Sequence, residues 1–154
     1  MILGCSGSPA ATEAEGYVDS LAPALAQNGI LAQRFLTEAS RVKKKEVDGG
    51  QLAELLAKEL VPQATELAGT VAAVTPVEPR LGAAHAILVK SWSDRAAAYQ
   101  ALSAAWVAGD LSAWDSAQRQ NAMSKLDEER YFTAVNAVLG EWQLSLAQYP
   151  AAPR

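Results

Sequence analysis

The chain has 154 residues, 50% of them hydrophobic and 19% charged, with a formal net charge of −4. That length suffices for one domain with a continuous core and no staple, and a single cysteine excludes an internal disulfide. The acidic balance argues against nucleic acid as a partner, because phosphate binding needs a concentrated basic surface, and no apolar run approaches the ~20 residues of a membrane-crossing helix.

Alanine dominates the apolar set and β-branched residues are sparse, so the local preference runs to helix. Residues 1–11 read as a polar, flexible lead, residues 12–149 as the helical domain and residues 150–154 as a tail. Thr12 and Glu15 have capping-box spacing, which predicts a first helix from Glu13 to Lys44. Its apolar stripe is Val18, Leu21, Leu25, Asn28, Ala32, Phe35, Ala39 and Val42. Pro23 predicts a kink between Asp19 and Pro23, with a break into two helices as the alternative. The basic run Arg41, Lys43, Lys44 and Lys45 falls where that helix ends, and cations there complement the negative end of the helix dipole.

Asp48-Gly49-Gly50 makes the first turn, with Asp48 able to cap the next helix. That helix is predicted over Gln51 to Val74, with Leu52, Leu56, Leu60, Leu67, Val71 and Val74 facing inward and a second kink at Pro62. Pro76 and Pro79 stiffen the following connection. The third helix runs from Pro79 to about Asp110, with Gly109 as its stop. Leu81, His85, Leu88, Trp92, Arg95, Tyr99, Leu102 and Trp106 recur along it at steps of four and three, the spacing of a seam that faces other helices. A fourth helix is predicted from Leu111 to Gln148, with Met123 and Leu126 the inward candidates of its polar first half. Its second half carries the seam Val135, Leu139, Trp142, Leu146 and Tyr149. Four long helices on short turns predict an all-α fold, an antiparallel up-down-up-down four-helix bundle with proline-kinked first and second helices.

Two polar residues on the third seam carry the functional question. Counting outward from the turns of such a bundle places His85 level with Asn28, Thr70 and Asn136, a polar layer that either fixes register or lines a ligand pocket. The same count sets Arg95 beside Glu59, with Glu128 or Glu129 in reach, as a structural ion pair. Trp92, Tyr99 and Trp106 read as core, whereas Trp114 and Trp142 are candidates for a partner surface. One histidine and one cysteine give no zinc set, and no phosphate loop or nucleophile elbow is present. No catalytic residues, metal or cofactor are therefore assigned, and the expectation is a non-enzyme.

At the start, Ile2-Leu3-Gly4-Cys5 followed by Ser6-Gly7-Ser8-Pro9 resembles the end of a bacterial lipoprotein signal peptide. The resemblance implies lipidation of Cys5 and a flexible tether, and Ser6 after the cysteine resembles the outer-membrane sorting pattern. The charged and apolar regions that open such a signal do not precede these residues, so the reading requires further codons upstream of Met1. His85-x-x-Leu88, Arg95, Ala98-Tyr99, Ala105-Trp106 and Gly109-Asp110 also resemble the small helical-bundle lipoproteins of bacterial envelopes. That group implies an envelope location, anchored in the outer membrane and facing the periplasm or cell surface, with a scaffolding or protein-binding role. Two alternatives stand beside it: a sensor or carrier with a pocket around His85 lined by Asn28 and Asn136, and a cytoplasmic protein in which Cys5 is an ordinary thiol.

Overall fold

The computed structural model describes residues 8–148, and among them the chain is all-helical. Cys5 and Tyr149 lie outside the described residues. Helix α1 spans Pro9–Lys43, four residues earlier than the capping-box spacing predicts. The Ser8 hydroxyl accepts from the Ala11 amide at 3.2 Å, and Pro9 occupies the first turn, where its missing N–H costs nothing. Thr12 is exposed and already helical, so the cap falls at Ser8. The helix continues through Pro23 without dividing in two.

Asp48 accepts from the Gly50 and Gln51 amides and opens α2, Gly49–Leu55. A π turn, Leu56–Leu60, carries the chain without interruption into α3, Val61–Ala72. Pro62 therefore sits in the first turn of α3, and the wider π turn before it absorbs the amide that proline lacks. Helix α4 spans Pro79–Ala108, opened by the Glu78 carboxylate on the Leu81 amide and closed by Gly109 in the left-handed region at φ 65°. Helix α5 spans Leu111–Leu139, capped by Asp110.

The last helix is shorter than predicted. A 3₁₀ turn, Gly140–Trp142, and Gln143 in the left-handed region end it, and the Leu144 amide reaches back to the Leu139 carbonyl. Both polar atoms of the Asn136 amide then hold the backbone of Leu146, at 2.7 and 2.9 Å, so Leu146 returns to the core on an irregular segment.

Helix α4 is the most enclosed element. Leu81, Leu88, Trp92, Tyr99 and Leu102 are buried along it, and its closest neighbour is α5. Small residues suit that approach: Ser91 and Ala98 of α4 and Ala117 and Ser124 of α5 are all buried, and the Ser91 hydroxyl donates to the Ser124 carbonyl at 2.7 Å. Trp106 departs from the predicted seam and is 44% exposed, because the rod has reached its end and the ring lies over Gly49. Met123 and Leu126 also face outward, since Ser124 and Glu128 take the inward positions of α5.

Candidate functional site

Two buried polar clusters lie within the helices, and each draws on residues far apart in the chain. The first is built on His85, which is 4% exposed. Its Nε2 lies 2.8 Å from the carbonyl of Val71, in the last turn of α3, which also accepts from the Val74 amide at 3.1 Å. Its Nδ1 lies 3.0 Å from the Tyr17 hydroxyl, which in turn lies 2.9 Å from the Tyr131 hydroxyl. A carbonyl can only accept, so Nε2 carries the hydrogen and Nδ1 presents its lone pair to the Tyr17 O–H. The Tyr131 O–H then donates to the Tyr17 oxygen.

Burial pushes the Tyr17 hydroxyl up to about 12, opposed in part by its bond to Tyr131. Tyr131 is pushed upward as well, by burial first and by its bond and charge coupling to Tyr17. Both phenols thus stay neutral, and the set is a closed hydrogen-bond chain. His85 also lines a shallow groove of about 480 Å³ between the end of α3 and α4, together with Val74, Lys90, Ser93 and Asp94.

The second cluster joins Asn28 of α1, Arg95 of α4 and Glu128 of α5 in a ring. Arg95 Nη1 donates to Asn28 Oδ1 at 2.7 Å and Nη2 donates to Glu128 Oε2, while Asn28 Nδ2 donates to Glu128 Oε1 at 3.0 Å. The Arg95 and Glu128 side chains are 5% and 1% exposed. A buried carboxylate with no partner would be costly, and here one oxygen meets a guanidinium and the other an amide.

The predicted polar layer is therefore redistributed. Asn28 belongs with Arg95, not with His85. Thr70 is exposed and donates to its own helix at the Glu66 carbonyl, as a helical threonine with no inward space does. Asn136 pins Leu146, because α5 ends soon after it and the returning chain supplies backbone partners. Of the predicted ion-pair set, Glu128 meets Arg95 but Glu59 does not. Glu59 pairs at the surface with Arg34 at 2.5 Å, and the neighbouring Glu129 is exposed. Trp114 is half-buried, edge-on to Trp106 at 6.1 Å, and Trp142 is half-buried with the Arg80 guanidinium 6.0 Å from its ring.

Sequence reasoning missed both tyrosines of the His85 chain. The available signal was phase: Tyr17 stands four residues before Leu21, and Tyr131 stands three after Glu128 and four before Val135, all on buried stripes.

A separate cleft of about 700 Å³ opens between the C-terminal half of α1 and the N-terminal half of α5, with Arg95 and Tyr99 of α4 in its floor. Among the described residues no group of three acidic, histidine or cysteine side chains is placed to hold a metal, and no helix is long and apolar enough to cross a membrane. Comparison with family models, with curated proteins and with solved structures gives no match to this chain.

Proposed function

We propose that the chain is a non-enzymatic helical module of the bacterial envelope, tethered through a lipid on Cys5, which presents a binding surface to a protein partner. In this reading the helices form an antiparallel up-down-up-down bundle, with α1 bent at Pro23 and α2–α3 eased over Pro62. Cross-helix pairs support that direction of travel: as α4 is followed backward from Trp106 to Ser91 to Arg80, its partners on α5 and beyond advance from Trp114 to Ser124 to Glu141.

The observation that carries the non-catalytic reading is the closure of both buried polar clusters. His85, Tyr17, Tyr131, Asn28, Arg95 and Glu128 are all buried and hydrogen-bonded to one another and, through His85, to the Val71 carbonyl. General acid–base chemistry needs a proton-transferring group that can reach substrate; the polar atoms of His85, Tyr17, Tyr131 and Glu128 are engaged by other helices, and Arg95, which floors the α1–α5 cleft, is a guanidinium held by Glu128 and Asn28. His85 engages both ring nitrogens internally, which also weighs against a ligand pocket centred on it.

A partner surface is supported at the tip of the α4–α5 turn, where Val107 and Leu111 are 83% and 79% exposed beside the half-exposed Trp106. The start of α1 lies at the other end: the Glu13 carboxylate accepts from the Val77 and Glu78 amides, just before α4 begins. A tether ahead of α1 would hold the tip about 50 Å from the membrane, the length of a 35-residue helix.

The test is expression of the gene with its upstream codons in a bacterial host fed a labelled fatty acid. Label on the protein in the membrane fraction, lost in Cys5→Ala, is the expected result. A soluble, unlabelled protein that retains Met1 would remove the tether and the envelope location together.

A further inference from the structure

The cleft between α1 and α5 is unlike the rest of the surface. Its walls are apolar along most of their length, with Phe35 stacked on Tyr99 at 4.8 Å and Trp114 closing one side. None of its lining residues is acidic, in a chain with 17 acidic and 13 basic residues. Three lining residues are cationic: Arg95, Lys43 and Lys125. Glu128 compensates Arg95, but among the described residues no carboxylate pairs with Lys43 or Lys125.

The α1 wall runs from Ala32 to Lys43, about 16 Å at the helical rise, a length that an extended hydrocarbon tail of medium length spans, and a lining with cations and no acid complements an anionic head group. The two ends also differ. Lys125 stands one turn before Glu128 and therefore near Arg95, with the Asn121 amide one turn earlier, while Val42 and Leu52 line the far end beside Lys43.

We propose that this cleft binds one amphipathic organic anion, a carboxylate on an unbranched hydrocarbon tail of medium length. Its head group pairs with Lys125 and hydrogen-bonds to Asn121. Its tail lies along Phe35, Leu36 and Tyr99 toward Leu52. This site is independent of the tether, since it rests on residues of α1, α2, α4 and α5 alone.

Titration of the full chain with dodecanoate, followed by tryptophan fluorescence and by native mass spectrometry, tests the assignment. Expected are saturable binding of a single dodecanoate and affinity at least about tenfold weaker for dodecanol, which keeps the tail and lacks the charge. Lys125→Glu weakens dodecanoate binding at least about tenfold without lowering the melting temperature, and Lys125→Arg restores it. Ala39→Trp, which fills the cleft, abolishes binding; should that variant fail to fold, the Lys125 pair carries the test. No saturable binding, equal affinity for dodecanol, or indifference to Lys125→Glu each overturns the proposal. So does a dimer of this chain that Ala39→Trp dissociates while dodecanoate fails to bind.

Discussion

At the scale of single residues, the two clusters predict opposite sensitivities for glutamates that look alike in the sequence. Glu128→Ala strands the Arg95 guanidinium and the Asn28 amide in the interior and should lower stability by about 3–5 kcal/mol. Glu59→Ala breaks an exposed pair and should cost less than about 1 kcal/mol, with urea denaturation as the measurement for both. Counting from the turns puts the consequence on Glu59 instead, because it sets the height of Arg95 without setting which neighbouring helix the side chain faces. A second prediction follows from the tyrosines. A phenol whose folded value is raised from 10.0 to about 12 keeps its full contribution below pH 10, the unfolded value. Above that the unfolded state gives up its proton first, and stability falls as pH climbs toward 12. Circular dichroism through that window should show alkaline unfolding that begins near pH 10 and is shallower in Tyr17→Phe; an unchanged profile in that variant would assign the transition elsewhere.

At the scale of elements, glycines distinguish close packing from slack. A β-carbon on Gly49 would come within 2.2 Å of the Trp106 ring, so Gly49→Ala must displace an indole that seals the α2–α4 contact, and should destabilise by about 1–3 kcal/mol. Gly69 is exposed in α3 with nothing within 4 Å, and Gly69→Ala should stabilise by about 0.5–1 kcal/mol through helix propensity alone. Thermal melts of both variants check the sign. Helix existence was legible in the sequence because periodicity and caps agree: Asp48 and Gly109 act where the pattern puts them. Phase was less legible. On α1 the pattern follows Val18 and Ala32, whereas the buried stripe is Ala14, Tyr17, Leu21, Ala24, Asn28, Leu31 and Phe35; both alternate by three and four, and spacing alone does not choose between two such stripes that share Leu21, Asn28 and Phe35. The end of α5 was hidden for another reason. Leu146 keeps the helical phase of its predecessors, and what removes it from the helix is the left-handed Gln143 and the Asn136 side chain, neither of which periodicity records.

At the scale of the whole molecule, its polar interior is assembled from distant parts. The ring of Asn28, Arg95 and Glu128 spans sequence separations of 67, 33 and 100 residues, and the chain from Tyr17 to Tyr131 spans 114. A chain ending at Gly109 keeps Asn28, Arg95 and His85 but loses Glu128 and Tyr131. It should show no cooperative thermal transition by circular dichroism; a sharp melt would mean that α5 is dispensable to the core. Synthesis gives this dependence a direction. During translation the guanidinium emerges well before the carboxylate that neutralises it, so the nascent chain holds a cation it cannot yet seal inside. Commitment to the native state is thereby deferred until the last helix leaves the ribosome, and a half-made copy stays open to proteases and chaperones.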